Sequence, residues 1–122
     1  MALGANQGAP TISTHVLDPG RGRPASGVAV TLYRLADDGR PLRLTQALTD
    51  GDGRVRDLLE RPLVAGAYRL EFDLSLAADA PDGEIDRFFR RLSVDLSVSD
   101  VTRSYHVPLL LAPFSLSTYR GS

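Results

Sequence analysis

The sequence has no cysteine, no lysine and no tryptophan among its 122 residues. The lack of cysteine excludes disulfides, thiolate metal sites and cysteine nucleophiles. All 14 basic residues are arginine, and with 15 acidic residues they give a net charge of −1. Apart from the pair Arg90–Arg91 the arginines are scattered, so the sequence lacks the basic stripe that tracks phosphates. Nucleic acid is therefore not an expected partner.

Long apolar runs are also missing. No hydrophobic stretch approaches the ~20 residues needed to cross a bilayer, so we expect no membrane contact. The first ten residues, MALGANQGAP, contain neither the basic nor the apolar part of a secretory signal. We therefore expect a disordered lead-in over residues 1–10, one domain over residues 11–122, and a cytoplasmic protein.

Hydrophobic and polar residues alternate with a period of two, which is typical of strands that bury one face. The alternating stretches are Val28–Leu32, Tyr68–Leu76 and Leu92–Val98. An opening strand is predicted over Thr11 to Leu17. Glycine- and aspartate-rich turns separate the runs at intervals of about ten residues, as in sandwiches and barrels. The pattern predicts an all-β, two-sheet domain.

One segment has a different period. Ile85, Phe88, Phe89 and Leu92 recur at spacings of three and four, after Pro81-Asp82. This spacing predicts one short amphipathic helix over residues 82–91.

The C-terminal strand is apolar on both faces. It contains Leu109, Leu110 and Leu111 in succession, whereas the core of a sandwich covers only one face of each sheet. The second face therefore needs a cover, and we expect an oligomer interface there. The alternative is a central strand covered by loops of its own chain.

The two histidines, His15 and His106, are candidate general bases. Each lies in a strand-like run, and histidine titrates closer to neutral pH than any other side chain. If Val16 and Val107 face the core, alternation turns both histidines outward, where a partner subunit could share the site. The alternative is that both are structural or merely exposed.

Arg54 is a third candidate. It follows the tight turn Asp50-Gly51-Asp52-Gly53, and the turn itself does not require an arginine there. A guanidinium offers a planar fork to an oxyanion or imide. The sequence shows no His/Asp/Glu metal cluster, phosphate loop or nucleophile elbow, so we predict neither a metal nor an organic cofactor.

Three segments resemble the transthyretin-like 5-hydroxyisourate hydrolases, and the similarity extends over nearly the whole chain after residue 10. The first contains Ser13-Thr14-His15-Val16-Leu17-Asp18, the second is Thr49–Arg54, and the third runs from Tyr105 to Ser122. The closing Tyr119-Arg120-Gly121-Ser122 is the most specific element, because it distinguishes the hydrolases from transthyretin hormone carriers. The chain departs from the family at Ser104, where a further histidine is common.

The resemblance implies a transthyretin-like (prealbumin-like) sandwich of about eight strands and one short helix, assembled as a homotetramer with sites at the dimer–dimer interface. It implies hydrolysis of 5-hydroxyisourate to 2-oxo-4-hydroxy-4-carboxy-5-ureidoimidazoline in urate (purine) catabolism. The implied catalytic residues are His15, Arg54, His106 and Ser122. The implied substrate-binding residues are His15, Arg54, Tyr119, Arg120 and Gly121.

Two other functions stay open. A transthyretin-type carrier would bind a small aromatic ligand in the central channel without catalysis, and an adhesive sandwich module would need no site at all. The sequence also leaves open which histidine takes the proton from water.

Overall fold

The fold consists of two β-sheets, in which most neighbouring strands are antiparallel. A computed structural model describes residues 8–75 and 88–122. Nine strands occur within these residues, and two of them are only two residues long. The strands are β1 (Ile12–Asp18), β2 (Arg23–Pro24), β3 (Ala29–Leu35), β4 (Pro41–Leu48), β5 (Arg54–Val55), β6 (Gly66–Asp73), β7 (Arg91–Val98), β8 (Tyr105–Leu111) and β9 (Leu116–Thr118). The all-β, two-sheet prediction is confirmed.

The first sheet has the order β2-β1-β8-β9, and β5 also pairs with β1. Its central pair, β1 and β8, is parallel, and it joins segments near the two ends of the chain. The second sheet has the order β4-β3-β6-β7 with antiparallel neighbours throughout.

The core lies between the sheets and follows the alternation of the sequence. In β6, Tyr68, Leu70 and Phe72 are buried while the residues between them are half-buried. In β7 the apolar residues alternate with exposed polar ones, but only Val98 is fully buried, because β7 is an edge strand. The alternation therefore predicted these strands correctly.

Strand bounds differ slightly from the predictions. The opening strand begins at Ile12 and not at Thr11, and it extends to Asp18. Most of the predicted helix over residues 82–91 lies outside the described residues. Its described part, residues 88–91, is not helical, and β7 begins at Arg91. The predicted lead-in of residues 1–10 also lies mostly outside them.

Strand β8 is central in its sheet, between β1 and β9. Leu109 and Leu111 are buried in the core, whereas Leu110 is half-buried on the opposite face. The central position of β8 agrees with the alternative that loops of the same chain cover this strand. The outward Leu110 agrees with the predicted oligomer interface. Coverage of this face by another subunit stays a prediction.

Candidate active site

The outward face of the first sheet brings both histidines and Arg54 together. The parallel register of β1 and β8 sets Ser13 beside His106 and His15 beside Pro108. The short strand β5 pairs on the other side of β1 and sets Arg54 beside His15. Three residues singled out in the sequence therefore lie on adjacent strands.

Burial of the neighbouring residues fixes which way these side chains point. Val16 and Val107 are buried in the core, and His15 and His106 next to them are half-buried on the opposite face. This confirms the outward orientation predicted from alternation. In β1 the inward position beside His15 is Thr14, whose buried hydroxyl donates to the Val107 carbonyl at 2.6 Å.

His15 is held by the turn that precedes β5. Its Nε2 lies 2.8 Å from the main-chain carbonyl oxygen of Asp52. A carbonyl oxygen only accepts, so Nε2 must carry the proton, and the lone pair of a neutral His15 is on Nδ1.

The same turn positions Arg54. The Asp50 carboxylate accepts main-chain N–H groups from Asp52 at 2.8 Å and from Arg54 at 3.0 Å. The hydrogen bond from Arg54, aided by that from Asp52, lowers the pKa of Asp50, so this carboxylate is ionised at neutral pH. Gly53 has a φ of +77°, and a Cβ there would overlap the Val16 carbonyl. Only glycine lets the turn lie this close to β1.

His106 is fixed through its other ring nitrogen. Nδ1 lies 2.8 Å from the Ser13 hydroxyl. Partial burial lowers the pKa of His106 below its ordinary 6.5, and the positive charges of Arg54 and His15 lower it further. The imidazole is therefore neutral at neutral pH, as a general base must be.

A cavity of about 270 Å³ opens on this face. It is lined by Ser13, Thr14, Arg54, Arg56 and His106. Sequence reasoning gave no role to Ser13 or Arg56. Ser13 lies two positions from His15 within β1, so strand alternation already puts it on the same face. Arg56 lies just after β5 ends, so alternation alone does not place it.

The C-terminal tail packs against His106. The main-chain N–H of Gly121 donates to the His106 carbonyl at 2.7 Å. A Cβ on Gly121 would lie 2.8 Å from His106 Cδ2 and 3.3 Å from Pro108 Cγ. Glycine is thus required for the tail to lie flat against the imidazole.

Tyr119 and Arg120 are not among the residues that line this cavity. They line a second cavity, of about 360 Å³, between β7 and the β8–β9 pair, and His106 borders both cavities. The Arg120 guanidinium lies 4.9 Å from the centroid of the Tyr105 ring, and its Nε donates to the main-chain oxygen of Ser122 at 2.8 Å. Ser122 is exposed. The substrate contacts assigned to these tail residues stay predictions.

Ser104, the departure from the family pattern, has a structural contact. Its hydroxyl accepts the main-chain N–H of Thr11 at 3.0 Å, just before β1 begins. Its neighbour Tyr105 is one of the residues that line the second cavity.

Across residues 8–75 and 88–122, no group of three or more histidine, aspartate or glutamate side chains is placed to hold a metal ion. In the same part of the chain, no helix has the length and hydropathy to cross a membrane.

The cavity is lined by a neutral imidazole and a guanidinium, and the second imidazole, His15, does not line it but is the register partner of Arg54 on the same sheet. An imidazole can accept a proton from water, and a guanidinium can stabilise a developing oxyanion. The arrangement therefore suits addition of water to a polarised carbonyl.

Comparison with known proteins agrees with this chemistry. A model described as the HIUase/Transthyretin family matches residues 12–121. A 5-hydroxyisourate hydrolase of Deinococcus radiodurans is 42% identical over 94% of this chain and 98% of its own. The solved structure of Klebsiella pneumoniae 5-hydroxyisourate hydrolase aligns with a TM-score of 0.78 at 34% identity, covering 93% of this chain and 99% of that one. Sea bream transthyretin in complex with thyroxine also has a TM-score of 0.78, at 30% identity, covering 89% and 92% of the two chains.

Proposed function

The chain belongs to the HIUase/Transthyretin family, and we propose that it is an enzyme that hydrolyses 5-hydroxyisourate in urate catabolism. The product is 2-oxo-4-hydroxy-4-carboxy-5-ureidoimidazoline. One observation carries the proposal: His15, Arg54 and His106 come from three separate strands to one face of the sheet.

The reaction begins with attack of water on the C6 carbonyl of the substrate. One of the two imidazoles takes a proton from that water as the new C–O bond forms. The other orients the water or the ring. The bond between C6 and its ring nitrogen then breaks, and that nitrogen receives the proton from the imidazole. C6 stays in the product as its carboxylate, and the remaining proton of the attacking water is released to solvent.

Arg54 has an electrostatic role in this scheme. Its guanidinium binds substrate oxygens and stabilises the negative charge that grows on the carbonyl oxygen. The Asp50-capped turn supports this role, because it holds the main chain at Arg54 before substrate arrives. Reorganisation during the reaction is then small.

The tail closes the site. In this proposal Tyr119, Arg120 and Gly121 contact the substrate, and Ser122 takes part in catalysis. The packing of Gly121 against His106 supports a tail wall for the cavity.

We also propose a homotetramer in the cytoplasm, with the sites at the dimer–dimer interface. Exposed apolar side chains support an assembly: Phe114 is 92% exposed and Leu48 is 65% exposed in the single chain. The half-buried Leu110 lies on the same face of β8 as His106. Light scattering after gel filtration should give about four times the chain mass of 13.2 kDa. A monomer would contradict the shared site.

A transthyretin-type carrier is the second candidate, favoured by the likeness to the thyroxine complex. It is less well supported, because relatives near 40% identity over most of the chain are named as hydrolases. A carrier also has no need of a neutral imidazole beside a guanidinium.

The deciding experiment follows the decay of freshly prepared 5-hydroxyisourate in the near ultraviolet, with wild type and His106→Asn. Wild type should accelerate the decay, and the variant should lose about 10²–10⁴-fold in kcat. Circular dichroism and mass measurement establish that the variant keeps its fold and assembly. No acceleration by wild type would favour the carrier, and full activity in the variant would remove His106 from the mechanism.

A further inference from the structure

The contact between Ser13 and His106 joins two residues that both line the cavity. Their Cα atoms are register partners in the parallel β1–β8 pair, and Ser13 Oγ lies 2.8 Å from His106 Nδ1. The contact is partly buried, so bulk water competes with it only weakly. Ser13 is therefore placed to control which nitrogen of His106 carries the proton.

The free nitrogen of the ring is Nε2. Within the described residues it has no hydrogen-bond partner, whereas Nδ1 faces Ser13. Since His106 lines the cavity, Nε2 is the nitrogen available to a water or substrate there.

The nearby Arg54 guanidinium favours a lone pair on that free nitrogen. It lines the same cavity and acts on His106 as a positive charge. A lone pair directed into a positive field is more stable than an N–H directed into it. The tautomer with hydrogen on Nδ1 is thereby favoured, and that hydrogen needs an acceptor.

We propose that Ser13 is a positioning residue for His106: its hydroxyl accepts the Nδ1–H and leaves the Nε2 lone pair facing the cavity. The hydroxyl hydrogen of Ser13 then points to a second acceptor, such as a cavity water. The inference rests on the proposed hydrolase function and adds to it the residue that sets the protonation of the base.

His15 makes a useful contrast. Its proton is fixed on Nε2 by the Asp52 carbonyl, which is a main-chain group that no substitution removes. His106 depends on a side-chain hydroxyl, so its tautomer can be changed by one substitution.

The test uses three variants of the full chain: Ser13→Ala, Ser13→Thr and Ser93→Ala. Ser13→Ala removes the acceptor and Ser13→Thr keeps a hydroxyl. Ser93→Ala is the matched control, because it removes a strand serine whose hydroxyl donates to Glu71 at 3.2 Å on the other sheet.

Nitrogen-15 spectra of the imidazole rings distinguish protonated from unprotonated ring nitrogens without any need for activity. The chain has two histidines, so a His15→Asn background leaves His106 as the single signal set. Wild type should show hydrogen on Nδ1, and Ser13→Ala should show a mixture of tautomers. Because the accepting hydroxyl also stabilises the imidazolium, Ser13→Ala should lower the pKa of His106 further.

In the decay assay, Ser13→Ala should lower kcat by about two- to twelve-fold, the rate equivalent of one net hydrogen bond, with KM close to wild type. Ser13→Thr should restore most of kcat, and Ser93→Ala should match wild type. A wild-type His106 protonated on Nε2, or a raised pKa in Ser13→Ala, would overturn the proposal and make the hydroxyl a donor. An inactive wild type with the expected ring spectra would overturn the hydrolase function and leave the tautomer assignment intact.

Discussion

His15 donates its Nε2–H to the main-chain carbonyl of Asp52 across 2.8 Å, so one turn holds both an imidazole and the start of the arginine strand. The carboxylate of Asp50 fixes the turn by accepting the N–H groups of Asp52 and Arg54. The spacing between His15 and Arg54 thus depends on one hydrogen bond from His15 to the turn and on two hydrogen bonds within the five residues of the turn itself.

Asp50→Ala should therefore impair catalysis, although Asp50 is not among the residues proposed to contact substrate. Loss of two N–H acceptors lets the Asp52 carbonyl and Arg54 shift, and a shift of about 1 Å costs up to about 10²-fold in rate. We expect kcat/KM to fall by about ten- to a hundred-fold. Asp38→Ala is the matched control, because Asp38 caps a similar turn through the Arg40 N–H at 2.9 Å far from the cavity. Equal effects of the two substitutions would contradict a positioning role for Asp50.

Replacement of Arg54 should affect both rate and titration. Arg54→Gln removes the charge that stabilises the oxyanion, and kcat should fall by about 10²–10³-fold. Arg54→Lys should recover only part of that loss, because an ammonium lacks the planar fork. Arg43→Gln on the exposed edge strand β4 is the control and should keep wild-type rates. An Arg54→Gln variant with wild-type kcat would remove the guanidinium from the proposed mechanism.

The pH profile follows from the lowered pKa of His106. Burial is the first cause, and the charges of Arg54 and His15 add to it. The other charged residues that share a cavity with His106 are Arg56 in the first cavity and Arg120 and Asp95 in the second. With the neutral ring of His106 as the proposed base, kcat/KM should be flat near neutral pH. It should fall as the pH drops through a midpoint below 6.5.

The sign of the shift can be checked with Arg54→Gln. Removing a positive charge favours the imidazolium, so the pKa of His106 should rise toward 6.5 in ring-nitrogen titrations. A wild-type midpoint at or above 6.5 would contradict this account of His106.

Gly121→Ala should disturb the packing of the tail against His106, and so lower activity, while leaving the stability of the fold nearly unchanged. The added methyl group would lie 2.8 Å from His106 Cδ2, so the tail or the ring must move. We expect kcat/KM to fall by about ten- to a hundred-fold. The melting temperature should change little, because the tail is exposed. Gly20→Ala, which meets only the Asp18 carboxylate at 3.5 Å, is the control for a glycine in an exposed turn. A fully active Gly121→Ala enzyme would show that the tail need not lie against the imidazole.

The strands were predictable because alternation is a local property. Leu92–Val98 and Tyr68–Phe72 show one apolar face in the sequence and the same face inward in the fold. The strand pairings were not predictable in this way. A period of two is the same for a parallel and an antiparallel neighbour, so nothing in it indicated that β1 pairs with β8.

The candidate site was predictable only in its chemically distinctive members. His15 and His106 drew attention by residue type, and Arg54 by its place directly after a tight turn. Ser13 and Arg56 did not, because serine and arginine are common on any solvent-exposed surface and do not by themselves indicate a site. Their place at the cavity depends on the register between β1 and its neighbours, which the sequence does not display.

The parallel pairing of β1 with β8 also constrains when the cavity can exist during synthesis. Ser13 and His106 are 93 residues apart along the chain. A ribosome must therefore have translated most of the protein before this pair can meet, and closing so long a loop is slow compared with forming the local hairpins. Enzymatic turnover in a refolding experiment should consequently appear after the hairpin signals, as a late marker of completed assembly of the sheet.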